Sequence, residues 1–211
     1  MSETVLYGVD GSPYVRSARL GLEEKGVSYD FVDMSLAEMK QEPHLSRQPF
    51  GRIPAFEHKG FALYETQAIL RYVDTAFPGA PLQPTDPRHA ARMNQIIGIV
   101  DAYMFADISF GISYQRVMAA RHGKAPDEAR VAACLPKARV CLDALDQLKG
   151  DNRFLAGDAL SLADLMVAPH YFYFSLTPEG RDLLGPHERL RGWWSAMESR
   201  ESIRKTHPRP K

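Results

Sequence analysis

Three short stretches of the chain combine residue types and spacing that can do chemistry. The first is VDGSPYVRSARL, residues 9–20, where Ser12 stands directly before Pro13 and a run with helical spacing begins. Ser-Pro is a strong helix start, because the hydroxyl can accept from the first turn and proline needs no donor there. The same place offers unpaired backbone N–H groups and roughly half a positive charge, so an anion beside Ser12 is stabilised before any side chain acts. A thiolate is such an anion, and the hydroxyl can donate to it. A free thiol, with a pKa of about 8.5, is only a few per cent ionised at neutral pH. Lowering that value by about two units requires about 2.7 kcal/mol, the scale of one charge-assisted hydrogen bond plus a helix dipole. Taken alone, Ser12 reads as an ordinary cap.

The second stretch is QPFGRIPAF, residues 48–56. Pro54 sits where a strand begins, and a proline there calls for an edge, a bulge or a cis bond. A cis Ile53–Pro54 bond turns the Ile53 backbone outward to pair with an extended peptide, while a plain strand-edge proline is the ordinary alternative. The third is YETQAIL, residues 64–70. Thr66 can cap the next helix and offer its N–H groups to an anion, and Glu65 can accept from a cation. That pairing suits an α-amino acid head group. A thiolate site, a backbone strip and a head-group clamp together describe a thiol tripeptide, and that tripeptide is glutathione.

The surrounding pattern supplies the elements to carry these residues. TVLYGV (4–9) reads as a buried strand, SPYVRSARLGLEEKG as a helix closed by Gly26, and VSYDFVDM as a second strand. GRIPAFEHKGFALYE outlines a β-hairpin around HKG, and a helix from about Thr66 to Phe77 follows. FPGAPLQPTDP (77–87) has linker composition. Beyond it the chain reads as helical. One long helix runs from Asp86 and Pro87 to about Arg121, and a second covers about Asp127–Lys149, kinked at Pro136. LSLADL (160–165) is a helix start in which Ser161 and Asp164 can satisfy each other. A helix with LRGWWSAM ends the pattern, and the basic tail RKTHPRPK is expected to be solvated and frayed.

Composition narrows the function. The 211 residues allow one large domain or two small ones, and two is the working division. Lys and Arg number 26 and Asp and Glu 26, so no broad field recruits nucleic acid or an anionic membrane. No signal-peptide order is seen at the N-terminus, and no apolar run reads as the roughly 18 residues of a membrane span, so a cytoplasmic protein is expected. Cys134 and Cys141, the two cysteines, lie seven apart on one helix face. At about 10 Å of axial rise they cannot bridge each other, and they read as buried core thiols with no disulfide framework or zinc site.

With those motifs in order along one chain, the sequence resembles a cytosolic glutathione S-transferase of the serine type, closest to the phi class. SPYVRSARL matches the family's serine motif, KQEPHLSRQPFGRIPAF the approach to its cis-proline, YETQAILRYV its Glu-Ser/Thr helix start and SLADL the capping box of its helical domain. The resemblance covers nearly the whole chain. It implies a thioredoxin-like α/β domain binding glutathione (1–78), a linker (79–87) and an all-α helical-bundle domain (88–211) that contributes the electrophile site, with the active cleft between them. It implies that Ser12 activates the glutathione sulfur, that Lys40 faces the glycine carboxylate, that Ile53 beside Pro54 pairs through its backbone, and that Glu65 and Thr66 hold the γ-glutamyl end. Arg52 stands where the family often has Gln. Met39 stands where the phi pattern usually has His, so Arg52 compensates a lost contact. Glutathione is then the co-substrate, with no metal, and a homodimer is implied. Tyr7 is the rival activating hydroxyl, as in tyrosine-type members.

The second substrate is expected to be a small apolar electrophile. Tyr103, Asp107, Phe110 and Tyr114 follow steps of 4, 3 and 4, which share one face of an α-helix, and Tyr14 adds a wall. A core stripe has the same spacing. The expected function is attack of the activated thiolate on an electrophile, by conjugation or by hydroperoxide reduction. The alternative is a non-catalytic binding or regulatory module on the same fold.

Overall fold

In the computed structural model, described over residues 2–119 and 123–209, TVLYG forms β1 (Thr4–Gly8) and PYVRSARLGLEE forms α1 (Pro13–Glu24). β2 (Asp30–Asp33) follows, then a 3-10 turn (Glu38–Lys40) and the single turn of α2 (His44–Arg47). β3 (Ala55–His58), β4 (Phe61–Tyr64) and α3 (Thr66–Ala76) complete the motif. The four strands run in the order β2-β1-β3-β4, with β1 and β2 parallel and the other pairs antiparallel. The hairpin turns through Lys59 and Gly60, both at positive φ (51° and 81°), as a two-residue loop matched to strand twist requires.

Alternation along β1 sends Leu6 to the face shared with Phe56 of β3, and α1 and α3 cover that face through Val15, Ala18, Leu22, Ile69 and Val73. Gly8 lets α1 lie close, since a Cβ there would overlap the Val15 side chain. This unit is thioredoxin-like, as expected.

The chain divides into two compact units, and the division differs from the sequence expectation in two places. The first unit comprises 1–83 together with 199–211, and the second 84–198. Residues 79–83 are fastened to the first unit and do not behave as a free linker: the buried Lys25 ammonium meets Asp74 at 3.1 Å and also donates to Gly79 O and Ala80 O. Asp74 accepts from Leu82 N–H and from the Gln83 amide. A buried cation demands several acceptors, and the linker backbone supplies them.

The second departure is the C-terminal segment, whose described residues, up to Arg209, dock through α9 (Glu201–Lys205) and are held by the first unit. Arg200 pairs with Glu24 by two hydrogen bonds of 2.8 and 2.7 Å, the buried Arg16 donates to Ile203 O and Thr206 Oγ1, and Asp10 accepts from Arg209 N–H.

In the second unit α4 (Pro87–Ile99) is capped by Asp86 and continues without a break into a π-wound stretch, Val100–Met118. The expected end near Arg121 lies outside the described residues. α5 (Glu128–Lys149) runs through Pro136, and α6 (Leu162–Ser175), α7 (Pro178–Leu184) and α8 (Glu188–Glu198) follow. Asp164 reaches back to Ser161 N–H at 2.8 Å, as the LSLADL pattern implies, and additionally accepts from Leu155 N–H and the Trp193 indole. The helix Pro87–Met118 corrects one sequence reading. Its most apolar window has a mean hydropathy of 1.5, long and apolar enough to cross a membrane by composition, yet half of that window is buried inside the protein as a core helix is.

Candidate functional site

The strand register gathers the three chemical stretches at one end of the sheet. Tyr7 of β1 pairs with Ala55 of β3, which pairs with Tyr64 of β4. The chain therefore leaves β1 towards Ser12, enters β3 from Ile53–Pro54 and leaves β4 into Glu65–Thr66, all at the same edge.

Ser12 is the N-cap of α1, with extended φ and ψ of −70° and 129°. Its hydroxyl oxygen accepts from Val15 N–H at 3.5 Å, a long bond, and its backbone N–H closes a turn on Val9 O at 3.1 Å. Gly11, at φ 99°, makes that turn possible. Behind it Asp10 is anchored on both sides, its N–H donating to Asp33 at 2.8 Å and its carboxylate pairing with Arg19 at 3.0 Å. Tyr7 lies elsewhere: β1 alternation puts it on the sheet face opposite Leu6, with the Arg47 guanidinium 4.4 Å from its ring centroid.

The Ile53–Pro54 bond is cis, the option the sequence left beside a plain edge proline. The register of β3 begins at Ala55, so the Ile53 N–H and C=O stand outside the sheet ladder. Lys40 reaches the neighbouring turn, since its Nζ lies 3.2 Å from where a Gly51 Cβ would be. That puts one cation beside the loop carrying a second, Arg52.

At the third stretch the structure corrects the sequence reading. Glu65, not Thr66, is the N-cap of α3; Thr66 is the first helical residue and is buried. Glu65 adopts φ 69°, a left-handed value seldom taken by a residue other than Gly, Asn or Asp, and its side chain makes no capping hydrogen bond. A backbone strained in this way at a helix start is a feature that functional sites carry.

Sequence reasoning missed two residues. His44 and Gln48, both about 1% exposed, hold the Arg52 backbone: His44 Nε2 bonds Arg52 O at 2.7 Å, and Gln48 Oε1 accepts Arg52 N–H at 3.0 Å. Their i, i+4 spacing in a polar segment was the available signal.

The electrophile face expected on the long helix is only partly assembled. Phe110 and Tyr114 lie with ring centroids 5.3 Å apart, and Tyr103 is exposed. Asp107 instead faces α5, 3.5 Å from Lys137 and 3.7 Å from Cys134 Sγ. The cause is the winding: i→i+5 bonding widens each turn, so a face computed for 3.6 residues per turn does not hold through a step of three. Tyr14, on the first turn of α1, is half-buried. Both cysteines are buried and free. Burial pushes the Cys141 thiol up to about 12 and raises that of Cys134, where Asp107 adds to the effect. Among the described residues no group of three His, Cys, Asp or Glu is placed to hold a metal ion.

Residues 6–81 match the family model for the glutathione S-transferase N-terminal domain, and residues 128–193 that for the C-terminal domain. Among curated proteins the chain is similar to glutathione S-transferase F12 of Arabidopsis thaliana, 30% identical over 204 residues that cover 95% of each chain. Among solved structures it superposes on glutathione S-transferase III in its apo form with a TM-score of 0.88 at 29% identity, covering 100% of this chain and 99% of that one. It superposes on maize glutathione S-transferase I in complex with an atrazine glutathione conjugate with a TM-score of 0.85 at 28% identity, covering 97% and 96%. The chain belongs to the glutathione S-transferase family, with F-type, or phi, members among its relatives.

Proposed function

We propose that this glutathione transferase holds the sulfur of glutathione beside the first turn of α1, where Ser12 donates its hydroxyl hydrogen to the thiolate. The carrying observation is the state of that hydroxyl: its only hydrogen bond among the described residues is the 3.5 Å contact in which it accepts, so its hydrogen remains to be given to a ligand. The α1 N–H groups and dipole add to the same stabilisation. Ile53 pairs with the cysteinyl backbone of the peptide, Lys40 and Arg52 face its glycine carboxylate, and Glu65 with the first turn of α3 from Thr66 holds its amino-acid end. The thiolate attacks an electrophilic carbon, forming a C–S bond as the leaving group departs with its electron pair. On a hydroperoxide it takes the outer oxygen, the O–O bond breaks to release an alcohol, and a second glutathione reduces the sulfenic acid to disulfide and water. The relative crystallised with an atrazine glutathione conjugate supports conjugation to an aromatic electrophile. Tyr14, Tyr103, Phe110 and Tyr114 are the apolar candidates to meet it, while Asp107 is engaged with α5. A homodimer in the cytoplasm with a detoxifying role completes the reading, and light scattering on the purified protein reads the assembly.

Ser12→Ala is expected to cut kcat/KM for conjugation at least tenfold and to raise the apparent pKa of bound glutathione, followed by thiolate absorbance. Tyr7→Phe is expected to do much less. The reverse ranking moves the activating role to Tyr7 and overturns the assignment.

A further inference from the structure

We infer that His44 is a positioning residue for glutathione recognition, acting through the peptide unit that joins Arg52 to Ile53. The inference rests on the proposed backbone pairing of Ile53 with the co-substrate.

Arg52 C=O and Ile53 N–H belong to one rigid plane and point in opposite directions. His44 Nε2 lies 2.7 Å from Arg52 O. A ring nitrogen facing a carbonyl must carry the hydrogen, so His44 is the donor and the Nε2–H tautomer is set. Fixing the carbonyl fixes the N–H on the other side, which then points away from α2. The same bond polarises the unit, and a donor placed on a carbonyl makes the attached N–H a stronger donor in turn. One turn further along, Gln48, the C-cap of α2, takes the Arg52 N–H at 3.0 Å, so two consecutive peptide units are pinned from α2 and its cap.

His44 is otherwise poorly used as a structural side chain. It is the one buried residue of α2, yet its Nδ1 is buried with no hydrogen-bond partner. A buried imidazole nitrogen left bare costs free energy, so an apolar side chain of similar size would serve packing better. The residue is accounted for by its single bond to Arg52. The segment around it, from Leu36 to Arg47, is mostly exposed, so the bond to Arg52 is the polar contact that this buried ring makes.

The test compares steady-state kinetics of the full-length protein with varied glutathione. His44→Leu removes the donor, and His44→Gln keeps one that can reach the carbonyl. The inference expects His44→Leu to raise KM for glutathione five- to tenfold, with kcat at saturating glutathione, KM for the electrophile and the pH profile of the bound thiol within about twofold of wild type. His44→Gln is expected to recover at least half of the lost affinity. A purely structural residue gives another pattern: lower kcat from a smaller active fraction, an unchanged KM and no rescue by Gln. That result overturns the inference. Calorimetric titration of both variants with glutathione gives the same comparison without turnover, and far-UV circular dichroism checks folding. If the wild-type protein itself takes up no glutathione, the functional reading fails first; if it does and His44→Leu binds equally well, only the role of His44 is lost.

Discussion

The Lys25 ammonium and the Asp74 carboxylate meet at 3.1 Å with side chains only 2% and 5% exposed, and the pair closes over the segment that leaves the first unit. Truncating one partner leaves a charge in the interior. Asp74→Ala is expected to lower stability by about 3–5 kcal/mol, measured by urea unfolding, because Lys25, Leu82 N–H and the Gln83 amide all lose their acceptor. The double variant Lys25→Met, Asp74→Leu is expected to recover a large part of that loss. A double variant no more stable than Asp74→Ala would show that the backbone bonds, not the ion pair, carry the energy.

Gly51 makes a second, local prediction. It sits at φ 57°, and a Cβ there would come within 3.0 Å of Lys40 Cδ and 3.1 Å of Met39 O. Gly51→Ala therefore carries a left-handed backbone penalty of about 1–2 kcal/mol and pushes Lys40 aside. KM for glutathione is expected to rise several-fold while KM for the electrophile stays put. An unchanged KM for glutathione would remove Lys40 from the proposed carboxylate site.

His170 predicts a pH dependence of stability. It is fully buried, bonded through Nδ1 to Ser109 Oγ at 2.6 Å, and burial pushes the imidazole down to about 3 from an ordinary 6.5. A depressed folded value means that the unfolded chain binds the proton first. The contribution is therefore complete above about pH 6.5 and is lost as pH falls towards 3, at no more than about 1.4 kcal/mol per pH unit. His170→Leu is expected to flatten the melting temperature between pH 6.5 and 4, whatever its effect at neutral pH. A variant that keeps the wild-type slope would assign the acid sensitivity to other groups.

The cysteines predict an absence of reactivity. Cys134 and Cys141 are buried and both thiols are held above their ordinary range. A maleimide at pH 7 is expected to label the folded protein at least tenfold more slowly than the urea-unfolded chain, without loss of conjugating activity. Rapid inactivation would place a thiol within reach of the substrate path.

Much of this was legible in local patterns, and the reasons differ by element. Ser12-Pro13 announces α1 because cap and first-turn chemistry are written in two adjacent residues. HKG announces the β3–β4 turn because Gly60 frees the backbone there. Glu65 could not be read as the cap of α3, since Glu is a poor cap by type and only the fold forces its positive φ. The π winding of Val100–Met118 leaves no mark in a sequence pattern of 3.6 residues per turn. Close packing against α5 at Gly111, where a Cβ would overlap Cys134 Sγ, belongs to tertiary structure alone. The i, i+4 spacing of His44 and Gln48 puts the two side chains on one side of the chain, but their hold on Arg52 joins side chains to backbone across a loop, and spacing alone does not name that partner.

The return of the C-terminal segment has a consequence for how the molecule is made. Residues 199–209 supply Arg200 to Glu24, the acceptors of Arg16 and a donor to Asp10, two positions before Ser12. On a ribosome that emits residues in order, the first eighty emerge long before these partners exist. The serine turn must therefore wait, incompletely buttressed, until the entire helical unit has been synthesised and the last stretch of chain arrives to brace it.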